Sequence, residues 1–223
     1  MTSEAPLSPA GFASATSVSR ETLGRFETYL DLLGKWQARV KLVGPAGLTD
    51  PWRRHFLDSA QLVPYLPKTA RSLVDLGSGA GFPGLVLGIL ALETPAIPPV
   101  HLVESDHRKT AFLAAVIGAT GARARLHTAR AEALGAAPGA LATQIPGPRI
   151  VTARALAHLN KLLPLAAPFL DAGGVGLFLK GEKAEDELTA VRKDWIMSAK
   201  SHPSRTDSAG KLLEIRGLRR VDR

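Results

Sequence analysis

"LVDLGSGAGFPG", residues 73–84, sets four glycines, Gly77, Gly79, Gly81 and Gly84, behind an apolar run that carries an acid, Asp75. A short apolar run bounded by glycine reads as a buried strand, and the glycine cluster as a loop whose backbone approaches something closely. The same texture continues downstream. "VHLVES", "RIVTARA" and "VGLFLKG" read as buried strands, "ARLHTAR" as a weaker one and "KLLEIRGL" as a late one. Between them "GFPGLVLGILALE", "DHRKTAFLAAVIGATG", "NKLLPLAAPFLDAGG" and "EDELTAVRKDW" read as helices, the second ended by Gly121. Strands alternating with helices specify an α/β fold with a mostly parallel, doubly wound sheet.

Upstream the pattern differs. Residues 1–17 are small, proline-containing and nearly uncharged, and are expected to form a disordered tail. Residues 18–68 read as a helical extension, and 69–223 as the α/β domain. In the extension Leu23, Phe26, Leu30, Leu33 and Val40 recur at helical spacing. Asp50 followed by Pro51 marks the start of a second helix over 51–63, closed by Pro64 and Pro67. On that helix Arg54 and Asp58, and likewise His55 and Ser59, stand four apart. The pairs share a face and read as a polar seam against the sheet. Trp36, Trp52 and Trp195 are expected to anchor the core.

Composition narrows the function. The 223 residues contain no cysteine, which removes disulfides, thiolate metal sites and cysteine nucleophiles. The six histidines show no metal-ligand spacing, and no metal is expected. No apolar run is long enough to span a bilayer and the start does not read as a secretory signal, so a cytoplasmic location is expected. Net charge is +8, spread without a basic block, and favours a polyanionic partner.

Two fingerprints overlap at the glycine loop. Gly79-x-Gly81-x-x-Gly84, with Glu104 at the end of the second strand, fits a dinucleotide site whose acid holds a ribose. Asp75-x-Gly77-x-Gly79-x-Gly81 fits the S-adenosylmethionine site of methyltransferases. A pyrophosphate beside Asp75 would be repelled, whereas S-adenosylmethionine is cationic at its sulfur and amine, and Asp75 at the strand end suits it. Glu104 would hold the ribose in either case. Ligands in open α/β sheets bind beyond the carboxyl ends of the strands. That places Arg130 and Glu132, Arg154, and Lys180 near the site, at the ends of the third, fourth and fifth strands.

"RRHFLDSAQL", "VDLGSGAGFPGLVLGI", "ESDHRKTAFL", "ARAE", "ARAL" and "FLKG" occur in the order found in the small-subunit ribosomal RNA guanine-N7 methyltransferases, the glucose-inhibited division protein B family. The chain resembles that family over residues 20–220. The resemblance implies a class I S-adenosylmethionine-dependent methyltransferase fold, Rossmann-like with a seven-stranded sheet and an N-terminal helical extension. It carries cofactor contacts over to Gly77, Phe82, Ala131, Glu132 and Arg154, beside Asp75, Gly79, Gly81 and Glu104. It implies methylation of N7 of a guanine in the decoding region of 16S ribosomal RNA, with that RNA or the small subunit as partner. A monomer is expected. Arg54, His55 and Lys180 are candidate RNA contacts, and Arg154 a candidate for positioning. Two departures stand out: Lys41-Leu42 where many members have Asn-Leu, and Ala153-Arg154-Ala155 where many have Ser-Arg-Ala.

The missing residues agree with the implied target atom. A pyrimidine C5 target calls for a cysteine, and an exocyclic amine for an Asn/Asp-Pro-Pro-aromatic motif after the fourth strand, where this chain has "TARAL". N7 of guanine has an available lone pair and needs neither. Small-molecule methylation, dinucleotide-dependent oxidoreduction and RNA binding without catalysis are the alternative readings.

Overall fold

A computed structural model describes residues 5–130, 133, 141–170 and 173–221. Five strands alternate with helices: β1 (Ser72–Leu76), β2 (Val100–Glu104), β3 (Ala124–Thr128), β4 (Arg149–Arg154) and β5 (Val175–Lys180). They are joined by two further strands, β6 (Trp195–Pro203) and β7 (Lys211–Arg220). The sheet order is β3-β2-β1-β4-β5-β7-β6. The pairs from β3 to β5 are parallel, and β7 is antiparallel to both β5 and β6. Chain order reverses between β1 and β4, which opens a crevice at their carboxyl ends. β1 is buried at every position, as expected of a central strand covered on both faces.

Before the sheet come α1 (Pro9–Thr16), α2 (Arg20–Gln37) and α3 (Pro45–Thr49). The connecting and covering helices are α4 (Asp58–Ala60), α5 (Gly84–Leu90), α6 (His107–Thr120), α7 (Leu141–Gln144), α8 (Leu159–Ala166) and α9 (Ala184–Val191). One core cluster joins the N-terminal helices to α5, α6 and one sheet face, and a second lies under α8 and α9 on the other.

Three expectations are corrected. Within the expected disordered tail, Pro9–Thr16 is a helix, capped by the Ser8 hydroxyl, which accepts from the Gly11 N–H at 3.0 Å. Its Phe12 is fully buried against Phe26, Trp52 and Phe56. One aromatic carries no periodicity, so burial by distant partners was invisible in the tail's composition. The helix expected over 51–63 is instead a π-helical turn, Trp52–Leu57, running into α4, with a 3-10 turn at Val63–Tyr65. Finally, Trp195 opens β6 rather than closing a helix. β6 is an edge strand whose stretch "SAKSH" is largely solvated and lacks the apolar alternation that marks a strand.

Candidate active site

A cleft of about 1610 Å³ opens at the carboxyl ends of β1, β2, β4 and β5. Gly77, Gly79, Phe82, Glu104, Arg154, Arg54, His55 and Lys180 all line it. Asp75 and Gly81 do not.

The loop after β1 turns through positive φ at Gly77 (+62°), Gly79 (+57°) and Gly81 (+94°). L side chains rarely adopt such angles. The reasons for glycine differ. A Cβ at Gly79 would meet nothing closer than the Gly77 carbonyl at 3.7 Å, so this backbone faces open cleft. A Cβ at Gly77 would run into Leu156, just beyond β4. One at Gly81 would strike the Tyr29 hydroxyl of α2, which donates to the Ala80 carbonyl. One at Gly84 would fall 2.6 Å from both Asp75 Cβ and Leu102, so this glycine serves the seating of α5 on the sheet.

Glu104 ends β2 and is only 7% exposed. Its Oε2 accepts the Gly79 N–H at 2.8 Å, and its Oε1 accepts the Ser105 and Asp106 N–H groups at 2.8 and 2.9 Å. An ionised carboxylate offers about four acceptor sites, so the three bonds leave capacity for a ligand hydroxyl.

Asp75 departs from expectation. It is fully buried, and its Oδ1 accepts from the Thr152 hydroxyl of β4 at 2.7 Å. Burial pushes its carboxyl up to about 6, against the lowering by Thr152. Its side chain is covered by the loop and does not line the cleft, and Oδ2 has no hydrogen-bond partner among the described residues. Asp75 ties β1 to β4 beneath the loop.

The polar seam on the second helix is present and converges on Arg154. Arg154 Nη1 donates to the Arg54 carbonyl at 2.8 Å and pairs with Asp58 Oδ2 at 3.1 Å, while Nη2 donates to His55 Nδ1 at 3.1 Å. Its guanidinium lies over the Phe82 ring, 4.9 Å from the centroid. Phe82 in turn stacks near-parallel to Tyr29 and His55, at 5.3 and 4.6 Å. The π-helical turn thus locks onto the loop through one arginine and one phenylalanine. Ala155, next along, has φ +53°, an uncommon angle for alanine.

Two candidate RNA contacts are corrected. His55 is 8% exposed, and burial, then the Arg154 charge, lowers its pKa to about 4. Its Nδ1 accepts from Arg154, so the neutral ring carries its proton on Nε2 and holds the seam instead of facing solvent. Lys180 is spent on Glu187 at 2.6 Å and on the Ala157 carbonyl at 2.9 Å. Arg54 is exposed on the lining. Ala131 and Glu132 lie outside the described residues, although Ala129 and Arg130 before them line the cleft. Sequence reasoning missed the β6–β7 loop, Ser204–Gly210, which forms another wall. No motif marks it, and only folding brings it to the cleft. Among the described residues no cluster of three or more metal-ligating side chains occurs, and no helix is long and apolar enough to cross a membrane.

Solved structures share this architecture. A cofactor-bound protein from MTB matches with a TM-score of 0.61 at 14% identity, over 96% of this chain and 98% of that one. A mutant of MtNAS in complex with S-adenosylmethionine matches with a TM-score of 0.53 at 11% identity, over 94% and 84%. With a glycine loop after β1 and an acid at the end of β2, the fold is that of the class I S-adenosylmethionine-dependent methyltransferases. Within that class the chain belongs to the rRNA small subunit methyltransferase G family, whose model matches residues 22–214. Its relatives include Ribosomal RNA small subunit methyltransferase G of Rhodospirillum rubrum, 51% identical over 96% of this chain and 100% of that protein. The protein of that name from Rhodospirillum centenum is 52% identical over 92% and 88%. The protein is a methyltransferase, and its methyl donor is S-adenosylmethionine.

The residues fit that donor. The open, positive-φ backbone at Gly79 stands beside Glu104, whose carboxylate keeps acceptor capacity that would suit the hydroxyls of a ribose. No arginine or lysine pairs with Glu104 among the described residues; its partners are three backbone N–H groups.

Proposed function

We propose that this protein methylates N7 of a guanine in the decoding region of 16S ribosomal RNA. Glu104 and the Gly77–Gly79 backbone hold the donor, and the cleft beyond Arg154 receives the base. S-adenosylmethionine supplies an electrophilic methyl group. The N7 lone pair attacks without losing a proton, so the protein's work is to place the base, exclude water and arrange charge. The observation that carries the reading is that the histidine and acids gathered beside Arg154 and Lys180 are engaged by those two cations, while the cleft's other acids, Glu104 and Asp207, bond backbone N–H groups. His55 is buried and bonded to Arg154, Glu187 is paired with Lys180, and Asp58 is paired with Arg154. Arg154 shapes the pocket through Phe82 and the helical seam, as a positioning residue.

The net charge of +8 supports a polyanionic partner, either 16S RNA or the small subunit that contains it, met in the cytoplasm by a monomeric enzyme. Membership of a methyltransferase family removes the dinucleotide oxidoreductase reading of the overlapping glycine pattern. The deciding experiment is nucleoside mass spectrometry of 16S RNA from cells lacking the protein. Loss of one N7-methylguanosine is expected, restored by the purified enzyme with S-adenosylmethionine. An unchanged RNA, with S-adenosylmethionine still bound in calorimetry, would point to a small-molecule substrate.

A further inference from the structure

The cations around the cleft fall into two sets. Arg53, Arg154 and Lys180 are paired with Asp50, Asp58 and Glu187 at 3.0, 3.1 and 2.6 Å. Arg54, Arg130 and Arg205, all exposed, and half-exposed Lys109 and Lys211 line the same cleft and enter no ion pair among the described residues. Two of these five, Arg205 and Lys211, sit at the β6–β7 loop. The loop's own acid, Asp207, is turned onto its backbone and accepts the Ala209 N–H at 3.0 Å.

Polar bonds hold this loop against the N-terminal helices. The Thr206 hydroxyl donates to Asp58 Oδ1 at 2.7 Å. Gln61 Oε1 accepts the Arg205 N–H at 2.9 Å, and Gln61 Nε2 donates to Asp58 Oδ1 at 2.8 Å. The other oxygen of Asp58 takes Arg154. A single carboxylate therefore ties together the π-helical turn, the end of β4 and the tip of a hairpin 148 residues away in sequence. Because Arg154 neutralises it, this tether does not repel an approaching polyanion.

We propose that the Ser204–Lys211 loop is the dock for the phosphate backbone of the RNA substrate, and that Asp58 holds this dock in register with Arg154. The inference rests on the RNA-methylation reading and adds where the RNA is gripped and how the grip is referred to the chemistry. Phosphate contacts set the position of a nucleic acid without reading its sequence. Methyl transfer needs its two reacting atoms placed to within about an ångström. A dock on a loose loop would position nothing, whereas a dock bonded to the carboxylate that clamps Arg154 inherits the geometry of the site. Asp58 touches no reacting atom and is a positioning residue.

The test uses 16S RNA, free and in small-subunit particles from cells lacking the enzyme. The double variant Arg205→Ala/Lys211→Ala should bind RNA about tenfold more weakly at 0.1 M salt. The slope of log affinity against log salt should shrink by about 1.4 to 1.8, at roughly 0.7–0.9 for each phosphate that is no longer neutralised. S-adenosylmethionine affinity should stay within about twofold. Lys68→Ala, at the amino end of β1 and away from the cleft, should change neither quantity. Thr206→Val removes the loop's direct bond to Asp58 and leaves the Gln61 bridge and the Asp58–Arg154 pair. It should lower kcat at saturating RNA more than about fivefold with donor affinity unchanged, and Thr206→Ser should restore it. A double variant with wild-type affinity and salt slope overturns the dock, and Thr206→Val with wild-type kcat overturns the register. A wild-type protein that binds S-adenosylmethionine but neither binds nor methylates the RNA overturns the activity itself, and the dock with it.

Discussion

Gly77 shows how a motif position acquires its reason from the folded chain. The sequence suggests that a side chain there would invade the ligand's space, but the neighbour it meets is Leu156, and its φ is +62°. Gly77→Ala should therefore weaken S-adenosylmethionine binding at least about tenfold, since the left-handed conformation costs an L residue about 1–2 kcal/mol and the loop must shift. Calorimetry on the single variant and on Gly77→Ala/Leu156→Ala separates the two causes. If both bind as the wild type does, the loop does not depend on this glycine. His55 teaches a complementary lesson. With a pKa of about 4 it is neutral throughout the physiological range. The single-turnover rate at saturating RNA should thus vary less than about threefold between roughly pH 6.5 and 8.5. A log-linear rise across that window, abolished by one histidine substitution, would rule out base-free transfer.

Among the elements, α1 carries the clearest consequence. It buries Phe12 completely in the aromatic cluster that also seats the π-helical turn, 6.2 Å from Phe56. The segment before it is strapped down as well. The Leu7 N–H donates to Asp50 Oδ1 at 3.1 Å, and Arg53 Nη2 to the Ala5 carbonyl at 3.1 Å. Phe12→Ala should cost about 3–5 kcal/mol, the usual range for emptying a phenylalanine site, as measured by urea denaturation. A change below about 1 kcal/mol would return the segment to the status of a dispensable tail. Because the seam that holds Arg154 starts on the turn packed beside Phe12, the same variant should also weaken donor binding in the fraction that remains folded.

For the molecule as a whole, two buried groups set opposing responses to acid. Asp75 is raised from 3.8 to about 6, so its stabilising contribution is present below 3.8 and is lost as pH rises through 6. His55 is lowered from 6.5 to about 4, so its contribution is present above 6.5 and is lost as pH falls toward 4. Between pH 6 and 4.5 each amounts to roughly 2 kcal/mol, and the two nearly cancel. Asp75→Asn removes one side of the balance. The stability lost between pH 7 and 4.5 should then grow by about 2 kcal/mol in denaturation curves at the two pH values. Equal losses in variant and wild type would mean that Asp75 titrates normally. Much of this architecture was written locally. Glycine after an apolar run, strands alternating with helices, and an acid at the end of β2 are short-range patterns, and they determined the fold class, the loop and the place of Glu104. Pairs four apart on a helix face likewise announced a seam with the sheet. Contacts between distant segments carry no such local signature. That Asp75 is sealed under the loop, that Lys180 is spent on Glu187, that Phe12 is core and that the β6–β7 loop meets Asp58 were decided only by tertiary structure, because burial and pairing depend on which surfaces the sheet and helices bring together.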